Sequence, residues 1–403
     1  MVTYPQEWKT CNIGQCVNIY QGGTPKTSNA TYWGGDIVWV TPSEITKLSG
    51  LYISKSERTI TQEGLNNSSA TLLPKGTILL CTRATIGDLA IAAIPLTTNQ
   101  GFKNLTCHKG IYNLFFAYML STYKDEMVSK AIGTTFLEIS KKELEKIVVH
   151  IPPYEEQKAI ANCLSSFDTY IDDLTELIEK KRGIRDGALE DLISGRARVT
   201  GYNSEWKAQK LCDLAYILNG DRGVNYPNEN QFIPFGIPFV NAGNLENGRV
   251  DWDNMNYITE DRYNLLGGGK IKKGDILFCL RGSLGKYALV NFSGGAPASS
   301  LCIIRAKENT VPSFLLYIIA SSLMRNNIEM TNTGSSQPNL SAKDISHYIF
   351  KVPADIDEQN EIANILIAMD EEIEALEAER KKMIQIREGV MDDLLTGRVR
   401  LKI

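Results

Sequence analysis

The chain has 403 residues, 43% hydrophobic and 22% charged, which gives room for two or three cores and excludes a disordered polyelectrolyte. Its net charge of −4 is unevenly spread: 14 Lys+Arg stand against 11 Asp+Glu in 1–154, 7 against 10 in 155–200, 15 against 13 in 201–353, and 7 against 13 in 354–403. The acid therefore sits in two segments and the rest is mildly basic, so the total alone does not exclude a nucleic-acid partner.

In chain order, residues 1–8 lack the basic-then-apolar pattern of a secretory signal. The apolar runs at 114–120 and 314–320 are too short for a membrane span of roughly 20 residues. A cytoplasmic protein with no membrane partner is expected. Asp36-Ile37-Val38-Trp39-Val40 and Thr77-Ile78-Leu79-Leu80-Cys81 read as strands, the second entered through a Lys75-Gly76 turn. Residues 112–123, and later 314–323, read as buried helices by their length and apolar density. After Ile151-Pro152-Pro153, the apolar positions Ile160, Leu164, Phe167, Ile171, Leu174 and Ile178 recur in steps of four and three, the seam of a coiled-coil helix. Gly195 is placed to end that helix in a left-handed conformation.

The same series then begins again. Ile78-Leu79-Leu80-Cys81-Thr82-Arg83-Ala84-Thr85-Ile86-Gly87 returns as Ile276-Leu277-Phe278-Cys279-Leu280-Arg281-Gly282-Ser283-Leu284-Gly285, and Glu7-Trp8-Lys9 returns as Glu205-Trp206-Lys207. A second seam, Ile362, Leu366, Met369, Ile373 and Leu376, follows Val352-Pro353, with Asp355 and Glu358 placed as a capping box and Gly397 as its terminator. A repeat near 200 residues is far longer than a solenoid unit and means two domain-sized copies. Each helix, at about 40 residues and 1.5 Å per residue, would be about 60 Å long. Each lone stripe needs a partner, and a dyad between copies makes the helices antiparallel, sets the globules at opposite ends, and brings Arg398-Val399-Arg400-Leu401 near the N-terminus. Lys181, Arg185, Arg380 and Arg387 interrupt the seams. Either the stripe drifts so that Ile184 and Ile386 take over the buried face, or these cations face a partner.

Eight scattered cysteines without a Cys-x-x-Cys, and three histidines away from any usable pair, give no metal site. Cys81 and Cys279, repeat mates inside apolar strands, are expected to be packing residues. Pro152-Pro153-Tyr154 has the look of an adenine-methyltransferase motif, but Ile151 stands where an acceptor for the target amino group is needed, so the prolines are read as a helix start. Gly267-Gly268-Gly269 is an isolated run rather than a dinucleotide fingerprint. There is no phosphate-cradling lysine loop and no nuclease carboxylate cluster, so neither cofactor nor catalytic residue is assigned.

Several motifs resemble the specificity subunit of type I restriction–modification systems. Gly22-Gly23-Thr24-Pro25 followed by Tyr32-Trp33-Gly34-Gly35-Asp36-Ile37-Val38-Trp39-Val40-Thr41 resembles the start of its target-recognition domains. Ile151-Pro152-Pro153-Tyr154-Glu155-Glu156-Gln157 and Leu192-Ile193-Ser194-Gly195-Arg196 resemble the ends of its spacer helix. The second copies are Val352-Pro353 with Glu358-Gln359-Asn360-Glu361-Ile362, and Leu394-Leu395-Thr396-Gly397-Arg398. The resemblance covers essentially the whole chain. It implies an α+β protein with two homologous mixed α/β target-recognition domains, 1–153 and 201–353, separated by two long antiparallel coiled-coil helices, 154–200 and 354–403, in a pseudo-two-fold arrangement.

It also implies a non-catalytic subunit that reads double-stranded DNA, each domain taking one half of a bipartite site. Two adenine-N6 methyltransferase subunits would dock on the assembly, and restriction subunits would join to cleave. The acidic helices are either solvated coiled-coil faces or faces covered by those subunits. Half-sites one duplex turn apart lie roughly 34 Å from each other, so domains on a longer rod would have to lean inwards. In the second copy Asn219-Gly220-Asp221-Arg222-Gly223 replaces the Gly-Gly-Thr-Pro turn, and Phe239-Val240-Asn241 replaces Trp39-Val40-Thr41, so the two domains should read different sequences. A stand-alone DNA-binding regulator with the same duplication is the competing reading, separable by whether a methyltransferase subunit co-elutes with the chain.

Candidate DNA contacts are Thr24, Lys26 and Thr41 in the motif-bearing turn and strand end, and the repeat mates Arg83 and Arg281 with Thr85 and Ser283 beyond them. Arginine there can reach a phosphate or a guanine edge, or can pin a turn within its own domain. Asn99, Gln100, Lys103, Asn241 and Asn244 have side chains suited to base edges. Thr134, Ser335 and Gln337 lie in small polar turns that either contact DNA or do ordinary loop work.

Overall fold

A computed structural model of the chain describes residues 4–133, 137–331 and 339–402. The fold divides into two compact units. The first is 1–176 with 377–403, and the second is 177–376. The cut falls inside both long helices, Tyr154–Ser194 and Ile356–Thr396, so each unit holds one globular segment and half of each helix.

In the first unit a five-stranded sheet runs in the order Val17–Gln21, Phe102–Cys107, Ile78–Cys81, Leu89–Ala92, Tyr52–Ile53. A three-stranded sheet, Arg58–Ile60, Trp33–Val40, Thr97–Thr98, and a short ribbon joining Lys9–Asn12 to Val148–Ile151 complete it. Every residue of Ile78–Cys81 is buried because both faces of that strand are covered. With a period of two, Ile78 and Leu80 enter the core beneath the Asn113–Ser121 helix, while Leu79 and Cys81 enter a separate core with Val40, Leu96 and Phe102. The Cys81 thiol is pushed up to about 12 by burial, in keeping with a packing role.

The second unit repeats this plan. Its sheet order is Ala215–Asn219, Leu301–Ala306, Ile276–Cys279, Tyr287–Leu289, Gly248–Val250, with one added edge strand, Leu245–Glu246. The three-stranded sheet is Asn256–Ile258, Ile237–Val240, Ala296–Pro297. The apolar run at 314–323 is two helices, Pro312–Ala320 and Ser322–Thr331, because the Ser321 backbone turns extended between them. Although the Gly-Gly-Thr-Pro turn is missing here, its key glycine survives. A Cβ on Gly22 would lie 1.8 Å from the Asn99 carbonyl oxygen, and one on Gly220 would lie 2.3 Å from that of Ala298. Both positions require hydrogen because the turn crosses the next strand's backbone at contact distance.

Within each unit the two half-helices are antiparallel. In the first, Glu156 meets Arg400, Asp168 meets Arg387, and Tyr170 meets Glu379, so one number rises as the other falls. In the second, Lys181 meets Glu372, Arg185 meets Asp370, and Arg198 meets Glu358. Ile160, Leu164, Leu174, Ile178, Ile362, Leu366 and Ile373 are buried, as the seams require. Both helices end alike: Gly195 and Gly397 take φ of +73° and +72°, and the amides of Ala197 and Val399 return to the carbonyls of Asp191 and Asp393. Two seam expectations are corrected. Ile184 and Ile386 are exposed, at 51% and 37%, while Arg185 and Arg387 turn inward to carboxylates of the other helix. Glu358 does not complete a capping box. Asp355 accepts from the Asp357 amide, and Glu358 is wholly buried against Arg198. Among the described residues, no helix is long and apolar enough to cross a membrane.

Candidate nucleic-acid interface

In the first unit the turn after Val17–Gln21 packs on two tryptophans. Trp39 Nε1 donates to the Gly23 carbonyl at 2.8 Å, and Trp33 Nε1 donates to that of Lys26 at 3.4 Å. The two rings meet edge to face at 5.0 Å. Thr24 donates its hydroxyl to the Gln100 side chain, and Gln21 donates to the Gln100 carbonyl at 3.0 Å. Thr24, Lys26 and Gln100 thus belong to one surface, on which Lys26 and Gln100 are exposed and no carboxylate partner of Lys26 occurs among the described residues. Asn99 closes a turn by accepting from the Gly101 amide, and Thr41 caps the short helix Pro42–Ile45 through Glu44.

Beside this surface, Gln21 lies opposite Lys103 in the sheet. Lys103 is 4% exposed, and its ammonium sits 3.0 Å from Glu138, whose other oxygen takes Arg83 Nε at 3.1 Å. Burial raises the Glu138 pKa, but the hydrogen bonds from Arg83 and Lys103 outweigh it and hold the carboxyl below its usual range. Thr85 follows Arg83, with a buried hydroxyl oxygen that has no protein partner. Asp88, in the same loop, holds Lys124 at 2.8 Å.

The second unit keeps this framework and changes the charges. The bridge Arg83–Glu138 becomes Arg281–Asn339, and in the strand alignment Lys103 becomes Cys302. Arg281 and Ser283 are exposed, and no carboxylate pairs with Arg281 among the described residues. Asn241 and Asn244 are occupied locally: Asn241 accepts from the Gly243 amide, and Asn244, 3% exposed, donates to the carbonyls of Asp251 and Asp253. Asp221 accepts from the amides of Gly223 and Gly267, which lowers its pKa, and Arg222 reaches the Ser299 carbonyl. Thr134, Ser335 and Gln337 lie outside the described residues.

In both units an arginine just past one long helix forks onto a buried glutamate in the first turn of the other, a clasp that was not recognised in the sequence. Arg198 binds Glu358 through Nε at 2.7 Å and through a second nitrogen at 3.0 Å, with Trp206 Nε1 donating at 3.1 Å. In the first unit Arg400 binds Glu156 in the same forked way and adds Glu7 at 3.3 Å. Both glutamates are essentially inaccessible. The expected return of 398–401 to the N-terminal residues is therefore observed. The only sequence signal was the recurrence of Glu-Trp-Lys after 198 residues and of Gly-Arg after 202, which marks position but not pairing.

The duplicated order and framework agree with what comparison finds. A family described as the type I restriction modification DNA specificity domain matches residues 5–182 and again 203–385. The type I restriction enzyme MjaIX specificity subunit of Methanocaldococcus jannaschii is 30% identical, over 99% of this chain and 95% of its own length. The MjaVIII specificity subunit of the same organism is 22% identical over 99% and 94%. The crystal structure of the type I restriction–modification S subunit from M. genitalium superposes with a TM-score of 0.61 at 19% identity, covering 98% of this chain and 96% of that one. With the family spanning both halves and one relative matching nearly end to end, the chain belongs to the DNA specificity subunits of type I restriction–modification systems.

Proposed function

We propose that this chain is the non-catalytic, cytoplasmic sequence-reading subunit of its complex. Segments 1–153 and 201–353 are the reading heads, each taking one half of a bipartite, asymmetric duplex site, and the helices 154–200 and 354–403 set the gap between halves. Two adenine-N6 methyltransferase subunits dock against the helices, and restriction subunits join for cleavage. The observation that carries this reading is duplication down to single ion pairs, with different polar side chains exposed on a common framework. Two copies of one scaffold with the same clasp suit two readings of the same kind, and the changed surface suits two different half-sequences. The DNA-facing residues we assign are the exposed Lys26, Gln100, Arg281 and Ser283 and the half-buried Thr24 and Arg83. Thr41, Thr85, Asn99, Lys103, Asn241 and Asn244 act behind them, and the turns with Thr134, Ser335 and Gln337 complete the heads.

The test is single-molecule mapping of methylated adenines in cells carrying this gene with its methyltransferase gene. A split, non-palindromic motif is expected. Replacing 201–352 by the matching segment of another family member should change one half of the motif only. A continuous motif, or changes in both halves, would overturn the reading.

A further inference from the structure

Arg58 lies at the start of a strand paired antiparallel with Trp33–Val40, directly opposite Trp39. Its guanidinium carbon sits 3.5 Å from the centre of the Trp33 ring and 5.7 Å from that of Trp39. The residue is exposed, and among the described residues its guanidinium meets no carboxylate. Its backbone is fixed as well: Ser56 donates its hydroxyl to the Arg58 carbonyl at 2.6 Å and accepts from the Trp39 amide at 3.1 Å. The same two tryptophans brace the Gly23–Lys26 turn, so the cation stands on the platform that carries Thr24 and Lys26.

The second unit repeats the platform but not the cation. Phe232 and Phe239, 5.6 Å apart, stand where Trp33 and Trp39 do, and the residue opposite Phe239 is Asn256. Asn256 is half-buried, and its side-chain amide has no hydrogen-bond partner among the described residues. Strand, register and an aromatic pair are thus shared, and the side chain at that strand position differs.

We infer that Arg58 and Asn256 are base-reading residues, each occupying the same place in its head and each reading one position of its half-site. The inference rests on the two-headed reading proposed above. A cation's counterion-releasing hold on a phosphate is the same whatever the sequence, so a place kept in both heads for that purpose would keep its charge. A place that changes from arginine to asparagine on a constant support changes from a side chain suited to the O6 and N7 of guanine to one suited to the N6 and N7 of adenine. Stacking on Trp33 holds the planar fork in one orientation, which bidentate recognition of a base edge requires and a point charge does not.

The test uses the full chain with its methyltransferase subunits, comparing wild type, Arg58→Ala, Arg58→Lys and Asn256→Ala by adenine-methylation mapping. Binding to duplexes is measured across a salt series. Arg58→Ala should relax one base position in one half-site by about tenfold or more, with the other half unchanged, and Asn256→Ala should do the reverse. Arg58→Lys, which keeps the charge but not the fork, should lose the same discrimination and retain the wild-type salt slope. Equal melting temperatures would show that these surface changes leave the fold intact. Motifs unchanged in both alanine variants would overturn the inference. Uniform weakening on all sequences by Arg58→Ala, with the salt slope reduced by about 1, would also overturn it, since that marks a phosphate contact. If the wild-type complex itself produced no split motif, the two-headed reading would fail first, and this inference with it.

Discussion

Arg387 donates from Nε to Asp168 at 2.9 Å, joining the second half of one long helix to the first half of the other. The matching pair, Arg185 to Asp370 at 2.7 Å, does the same in the other unit. A buried tyrosine hydroxyl completes each group, Tyr118 on Asp168 and Tyr317 on Asp370 at 2.5 and 2.7 Å. The tyrosines come from the globular segments, so each triad binds a head to both helices. Burial first, then the hydrogen bond to the aspartate, raises both tyrosine pKa values and keeps the phenols protonated as donors. A seam interrupted by arginine is therefore a polar lock that only the antiparallel pairing satisfies.

Removing the carboxylate should cost more than an exposed pair would. Asp168→Ala leaves a guanidinium only 25% exposed without its counter-ion and a buried phenol without an acceptor. A loss of about 2 kcal/mol is expected from those two groups together. A double-mutant cycle with Arg387→Ala, followed by denaturant unfolding, should give a coupling of about 1 kcal/mol. A coupling indistinguishable from zero would show that the two groups merely lie near each other.

The Arg198–Glu358 clasp is more deeply placed, with Glu358 wholly inaccessible and Arg198 31% exposed. Glu358→Ala should destabilise the second unit by about 3–5 kcal/mol, because it breaks a buried pair and strips the Trp206 N–H of its acceptor. Its counterpart is testable by shortening the tail after the second helix, which also takes Leu401 from the edge of the first core. Ending the chain after Gly397 removes Arg400 and strands Glu156 in the interior. The truncated chain should lose protection from hydrogen exchange around Glu156 and Trp8, and unchanged protection there would sink the claim.

What the sequence made legible was periodic or repeated. The seams, the terminal glycines and the matched strands Ile78–Cys81 and Ile276–Cys279 lay where pattern put them, since each depends on a few neighbouring residues. Long-range choices were not legible. A heptad puts Arg387 on the seam but does not show that it turns inward, nor that Asp168, from a different helix, waits for it. Lys103 looked like a base-reading cation because nothing local shows it is buried beneath Glu138. Arg58 escaped notice because its support, Trp33 and Trp39, forms only once the strand register is set.

Glu138 supplies a pH test with a definite sign. Its pKa lies below the ordinary 4.5 in the folded chain, so its contribution is complete above that value and lost as pH falls through the lower, folded pKa. Wild type should melt above Glu138→Gln at neutral pH, by a margin of about 1–2 kcal/mol in stability for a partly exposed carboxylate serving two cations. The margin should shrink steadily below about pH 4.5 and vanish near the folded pKa. A margin that stayed constant into acid would mean that the carboxylate is not ionised in this cluster.

The same cluster predicts unequal roles for the repeat-mate arginines. Arg83 and Lys103 share Glu138, so the Arg83 charge is partly answered before DNA arrives, and drawing it towards a phosphate would loosen its hold on Glu138. In the second head Cys302 and Asn339 replace that cation and carboxylate together, and Arg281 stands exposed with its charge unanswered. On the full complex, Arg281→Ala should lower the salt slope of duplex binding by about 1 and weaken binding on all sequences alike. Arg83→Ala should change the slope by clearly less, yet lower the melting temperature more, because Glu138 loses one of the two cations that hydrogen-bond it. Glu138→Gln should then strengthen DNA binding at low salt by releasing Arg83. Equal slopes for the two alanine variants would show that both arginines meet the duplex in the same way.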